Sequence, residues 1–491
     1  WFWKSMWLFS LSAQNELEKL IQTKPELKED INQVYLLKAS LYLLDRRLEL
    51  SENERQQLSN EMLLQIETLE QKLAPYLTNT LENDPLRKAG WDGFRQKLPQ
   101  DAAFVDMYGY DHYEKGKPHN DPDFRYVGII TTPQGGLYRV QLPDTATVSQ
   151  AWRGWLKVKD QSNTAEQRNA WNEVRRLVWQ PIAAQLPASV KRVYLSPDGV
   201  LAQIPWQLFA QNDMKPREVA IVESARELYR LLTTSYQKPA TPQYLAVGNI
   251  NYNDVGAEPQ TTENLQNICQ KALGENSTIR NATSTPCAQS VIDNTSAILK
   301  QKGYESQSIV HNDATRSRIQ AALPKANVAM FFTHGYYDAG TDDRNSLTGS
   351  WLALSQYNKP DSTATTDETA FTGEDFVALD LRNTELMILS ACKSGLGKPL
   401  LGQGTLGVRA SISTAGVRSI LMSLWNVPEF ATKLMVEAFM KHWQSGKSKS
   451  EALRLAQDEV RKYRYKDSGG TIHTYEAPHF WAGWTLSGEI F

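Results

Sequence analysis

Two short apolar runs dominate the pattern of the chain, Val328 to Phe332 and Leu386 to Leu389, because no polar residue interrupts them and each leads into a reactive side chain. The first continues through Thr333 to His334-Gly335; the second continues through Ser390-Ala391 to Cys392. Unbroken apolar runs of about six residues suit strands covered on both faces, as in the middle of a parallel sheet. Val193 to Ser196 also reads as a strand, and Tyr244 to Gly248 and Val417 to Leu424 as buried strands. Ala102 to Tyr108, Arg125 to Thr131 and Leu137 to Leu142 are further strand-like runs, with Pro133-Gln134-Gly135-Gly136 as the turn between the last two.

Helical periodicity fills the remainder. Leu58, Met62, Ile66, Leu69 and Leu73 recur at steps of three and four behind a capping box at Ser51 and Glu54. That stripe needs a partner, which Leu27, Ile31, Val34 and Leu41 supply, with Pro25 and Pro75 as punctuation. No self-similar period of repeats follows, so a helical hairpin is expected over residues 12–82, the end of a longer array being one source for it. Further helices are expected from Trp171 to Gln180, ended by Pro181, and from Thr315 to Leu323. Two more close the chain, Phe430 to Gln444 and Glu451 to Tyr463, the second capped by Ser448. The polar stretches 254–290 and 342–372 read as a surface insertion and as a loop over the site. Gly402 to Gly407 reads as a structural glycine loop, because it follows the cysteine strand where a dinucleotide fingerprint does not belong.

A chain of 491 residues exceeds one core and divides into two to four domains. The net charge of −2, with both signs interspersed, favours neither nucleic acid nor an anionic membrane as partner. No apolar segment approaches the ~20 residues of a membrane span, so the chain is read as cytoplasmic. The aromatic stretch Trp1 to Ser10 lacks an initiator methionine and reads as the remnant of a longer chain. Three scattered cysteines make neither a zinc site nor a disulfide framework; Cys269 and Cys287 are expected unpaired, and no metal or cofactor is expected.

The chemistry rests on the two strand ends. Reactions on open α/β sheets collect at the carboxyl ends of strands. A cysteine there needs a base to become a thiolate, and a neighbouring imidazole supplies it. Glycine at 335 and 395 lets backbone N–H groups approach a reacting carbonyl.

These pieces occur together with others in a recognisable order. Phe331-Phe332-Thr333-His334-Gly335, then Leu379 to Gly395 through Ser390-Ala391-Cys392, then Gly416 to Val427, then Phe480-Trp481-Ala482-Gly483-Trp484 resemble the CHAT domain. That family is caspase-like, is often found after tetratricopeptide repeats and is related to separase. Ser196-Pro197-Asp198-Gly199 and Ile204-Pro205-Trp206 are similar to it as well, so the likeness spans about residues 91 to 491. The 58 residues between His334 and Cys392 are close to the caspase separation of roughly 50.

The resemblance implies caspase-like, doubly wound sheets: a helical segment over 1–90, a degenerate half over 91–240 and an active half over 241–491. It implies a cysteine endopeptidase with Cys392 as nucleophile and His334 as base. The N–H groups of Gly335 and Cys392 would form the oxyanion hole, a role commonly contributing about 3 kcal/mol. Ser423 and Trp425 would offer backbone pairing and an apolar wall to an extended protein substrate. Two residues depart from the pattern. Lys393 stands where the family carries an acid, and Ser390 where arginine-specific relatives have Asp, which leaves Glu374, Asp375 and Asp380 to acidify a substrate pocket. The helical segment would carry a regulatory protein partner. The alternative of another class is a catalytically silent scaffold for protein–protein interaction.

Overall fold

The computed structural model describes residues 24–31, 33, 37, parts of 54–76, 84–112, 123–211, 213, 215–253, 282, 284–337, 349–358, 368–390, 398–400, 404–466 and 470–491. Leu58, Met62, Ile66, Leu69 and Leu73 are all helical and less exposed than the described residues between them. Leu27 and Ile31 are buried as expected of the partner, and Lys72 reaches Asp30 at 2.7 Å to tie the two segments. The capping box at 51–54, Val34 and Leu41 lie wholly or partly outside the described residues.

In chain order the elements that follow are α1 (Pro85–Lys97), β1 (Ala102–His112), β2 (Asp123–Thr131), β3 (Leu137–Asp144), α2 (Thr145–Val158), α3 (Ala165–Gln185), β4 (Arg192–Ser196), α4 (Trp206–Gln211), β5 (Glu218–Ile221) and α5 (Ala225–Thr233). Then come β6 (Gln243–Ile250), α6 (Ala288–Lys300), β7 (Glu305–His311), α7 (Arg316–Ala322), β8 (Val328–Phe332), β9 (Gly335–Tyr337), β10 (Ser350–Ala353), β11 (Ala370–Thr372), α8 (Gly373–Val377) and β12 (Leu386–Ser390). The chain closes with β13 (Lys398–Leu400), β14 (Gly404–Leu406), α9 (Val408–Ala415), β15 (Ser419–Ser423), α10 (Glu429–Gln444), α11 (Lys449–Lys462), β16 (Arg464–Lys466), β17 (Ile472–Thr474) and β18 (Trp484–Gly488).

One eleven-stranded sheet carries the fold, in the order β3-β2-β1-β4-β5-β18-β15-β12-β8-β6-β7. β1, β4, β5 and β18 run parallel to one another, as do β15, β12, β8, β6 and β7; the two blocks meet antiparallel at β18 and β15. The fold is therefore α/β, doubly wound on either side of a strand supplied by the C-terminus. Alternation along the central strands feeds two cores. Val328, Met330 and Phe332 of β8 join Leu386 and Ile388 of β12 on the face covered by α6, α10 and α11. Ala329 and Phe331 join Met387 and Leu389 on the face of α7, α8 and α9.

Local rules explain most element ends. Ser448 caps α11 by accepting from Glu451 N–H at 3.1 Å, and Thr372 with Asp375 forms a full capping box on α8. Pro181 does not stop a helix: α3 runs on to Gln185, because Ile182 is buried in the core and the turn sacrifices only one N–H. The stretch 342–372 is not loop throughout, since β10 pairs with both β9 and β11 in a three-stranded sheet. Their short runs around Leu352 and Phe371 are fully buried, which offsets the cost of ordering them. Gly404 to Leu406 forms a hairpin with β13, a structural role.

Candidate functional site

The parallel register of β8 and β12 pairs Phe332 with Ser390, and Thr333 N–H extends the pairing by donating to the Ser390 carbonyl at 3.3 Å. His334 follows two residues after Phe332, as Cys392 follows two after Ser390 in sequence; Cys392 itself lies outside the described residues. Gly335 opens β9 opposite Leu352.

The backbone that presents His334 is fixed from several sides. Its carbonyl accepts from Ala353 N–H at 2.9 Å. The buried Thr333 hydroxyl donates to the Ala353 carbonyl at 2.6 Å and meets the Tyr252 hydroxyl at 2.9 Å. The His334 backbone also hydrogen-bonds that phenol. Burial pushes the Tyr252 phenol well above its ordinary value, so it stays a neutral O–H at any working pH. The half-buried imidazole stands 5.3 Å from the Tyr252 ring and 6.4 Å from Tyr336. Tyr336 is stacked in turn on Tyr357 at 5.1 Å and Trp351 at 5.9 Å.

A buried carboxyl acts on Tyr252. Glu429, in the first turn of α10, accepts from the Cys287 backbone N–H at 2.6 Å. Burial holds its pKa up at about 8, and its field reaches Tyr252. Neither Tyr252 nor Glu429 carries a motif that sequence reasoning could have used; each comes close through the packing of β6 and α10. Cys287, expected unpaired, is fully buried and disulfide-bonded. Its partner lies outside the described residues, where both other cysteines fall.

Other expected site residues are placed differently. Asp380 precedes β12 and pairs with Arg382, which sits against Gly416 just before β15. It therefore lies toward the amino end of β12 and cannot acidify a pocket at the carboxyl end. Asp375 is consumed by its capping box and Arg316. Trp425 is not an open wall: the residue is 7 % exposed, its ring lies 5.4 Å from Trp155, and its indole N–H donates to the His479 carbonyl at 3.0 Å. Gly483 is required beneath it, because a Cβ there would stand 2.7 Å from the indole. Ser390 is buried at its strand end; Ser423 is buried opposite Trp484 of β18.

No helix among the described residues is long and apolar enough to cross a membrane. Among curated proteins, tetratricopeptide repeat protein 28 of Mus musculus is 26 % identical over 205 residues, 37 % of this chain and 8 % of that protein. The Homo sapiens protein of the same name is 24 % identical over 204 residues with the same coverage. The chain thus spans about 8 % of the length of these relatives. Among solved structures, the Saccharomyces cerevisiae separase–securin complex matches with a TM-score of 0.47 at 11 % identity, over 94 % of this chain and 37 % of that one. The Arg-specific cysteine proteinase gingipain R matches with a TM-score of 0.39 at 13 % identity, over 65 % of this chain and 67 % of that one. The family model of the CHAT domain matches residues 168–489, which take in both strand ends of the site and most of the chain. On that extent of match, the chain belongs to the CHAT domain family.

Proposed function

We propose that this protein is a cysteine endopeptidase in which His334 is the general base and Cys392 the nucleophile. The observation that carries the reading is the register of β8 on β12. Phe332 and Ser390 are paired partners, and alternation puts positions 332 and 388 on the same face of the sheet. His334 and Cys392 each stand two residues beyond a member of the Phe332–Ser390 pair in sequence, so the two residues follow neighbouring strand ends. Thiolate formation by an adjacent imidazole, attack on a peptide carbonyl and stabilisation of the oxyanion by Gly335 and Cys392 N–H groups follow from such a pair. The neutral Tyr252 hydroxyl and Thr333 hold the histidine backbone for that role. A protein substrate and a regulatory partner engaging the helical segment complete the proposal.

The test is labelling by a library of peptidyl electrophiles, run with and without reductant because Cys287 is disulfide-bonded. Under reduction, mass mapping is expected to place the adduct on Cys392. His334→Ala is expected to slow labelling by about a hundredfold or more, and Cys392→Ala to abolish it. An unlabelled Cys392 with every warhead under reduction supports the scaffold reading instead.

A further inference from the structure

A cavity of about 390 Å³ whose lining does not include His334 lies between α2 and α3 on one side and the end of α11 with the segment before β18 on the other. Its size falls in the range of small-molecule sites. Trp155, fully buried, lines it, and the indole N–H of this residue has no acceptor among the described residues. A buried donor of that kind calls for an acceptor beyond the described residues, which a bound ligand supplies. Trp171 and Trp481 provide further indole surface, Trp171 being braced on Phe209 at 4.3 Å. The nearly buried side chain of Gln167 also lines the cavity.

The rim is basic. Arg461, Lys462 and Arg464 line it against a single lining carboxylate, Glu476. Glu476 is taken by Arg464, and Arg461 pairs with Asp458 at 2.9 Å while its guanidinium lies 5.8 Å over the Trp481 ring. Lys462 has no carboxylate partner among the described residues. Every polar group that faces the ligand space without a carboxylate partner is therefore able to donate, beside flat apolar faces. Aromatic faces select a planar ring, and a cluster of guanidinium and ammonium groups selects an anion.

We propose that this cavity binds a small organic anion made of a planar heteroaromatic ring and a phosphate, a nucleoside monophosphate being the matching size. The ring packs on the indoles and the phosphate meets Lys462 and the two arginines. The site is independent of the peptidase reading.

Calorimetric titration of the whole chain with AMP tests it, alongside tryptophan fluorescence excited at its red edge. Adenosine and inorganic phosphate serve as the separated halves of the ligand. AMP is expected to bind saturably at submillimolar concentration, and each half to bind at least about tenfold more weakly. Lys462→Glu combined with Arg464→Glu is expected to weaken AMP at least about tenfold at an unchanged melting temperature. AMP is expected to quench the tryptophan fluorescence, and Trp171→Phe, which keeps the packing on Phe209, to reduce that quenching. No saturable binding of AMP, either half binding as tightly as AMP, or affinity indifferent to the charge reversal would each overturn the proposal.

Discussion

Replacing Glu429 by Gln removes a charge the fold resists and keeps the carbonyl oxygen that accepts from Cys287 N–H. The helix N-terminus favours a carboxylate there by a fraction of a kcal/mol, yet burial wins and raises the pKa from 4.5 to about 8. The folded protein therefore holds this proton more tightly than the unfolded chain does. Between about pH 4.5 and pH 8 folding takes up a proton, so stability falls as pH rises through that window, and the loss is complete above it. The full shift corresponds to a ceiling of about 5 kcal/mol; partial exposure and water entry reduce it to about 2–3 kcal/mol. The neighbouring Tyr252 phenol stays protonated throughout, and Cys287, being disulfide-bonded, does not titrate. Urea denaturation of both proteins without reductant, at pH 4.5, 6.5 and 8.5, isolates the effect. The two should be alike at the lowest pH, and the Gln protein should be the more stable by about 2–3 kcal/mol at the highest. A gap that stays constant with pH refutes the burial argument.

Arg409 and Glu223 form an ion pair at 2.6 Å with both side chains about 95 % buried, and Glu227 lies beside them with its own pKa pushed up by burial and by Glu223. Arg409→Met strands those carboxylates and should cost about 3–5 kcal/mol in urea denaturation, part of which Glu223→Gln restores. Gly488 has φ +90° and its Cβ position lies directly against the Arg418 carbonyl, so Gly488→Ala should lower the melting temperature by several degrees in calorimetry. Cys392→Ala should leave the melting profile unchanged under reduction while abolishing electrophile labelling.

The central strands were legible because burial on both faces removes polar residues from the run, as at Val328 to Phe332 and Leu386 to Leu389. The helical stripe Leu58 to Leu73 was legible for the complementary reason, the described residues on its exposed side being polar apart from Leu64. What could not be read is which ends of elements meet. Asp380 has the chemistry of a specificity residue, but its position before β12 sends it toward the wrong end of the sheet. Trp425 sits at a strand end that suits a substrate wall, yet Trp155, distant in sequence, claims its ring. β18 was missed because Trp484 to Gly488 alternates apolar with small polar residues and its place between β5 and β15 depends on a pairing across the chain.

The N-terminal half contributes no reactive group to the candidate site, but it grips the segment that rejoins the sheet after Cys392. Arg230 donates to the carbonyls of Gly416 and Val417 at 3.1 and 3.3 Å, and Ser413 hydrogen-bonds Glu227. Arg418, at the start of β15, donates to the carbonyls of Leu231 and Thr234 at 3.1 and 2.7 Å. Ser390 is thus held by β8, and the residues from Arg409 to Val417 by Glu223, Glu227 and Arg230. Removal of residues 1–240 would leave Arg409 and Arg418 without these acceptors, expose the β18 edge that β5 covers and strip Trp155 from Trp425. Arg418 keeps Glu489, but a buried Arg409 without Glu223 alone costs about 3–5 kcal/mol, and the bared strand edge and lost indole packing add to it, which together rival the lower end of the ~5–15 kcal/mol that holds a domain folded. A fragment spanning 241–491 is therefore expected to show no cooperative unfolding transition, and one spanning 84–491 to keep it. A cooperative melt of the shorter fragment near that of the longer one would mean the two halves are separable and that the buried charges are matched from within the C-terminal half.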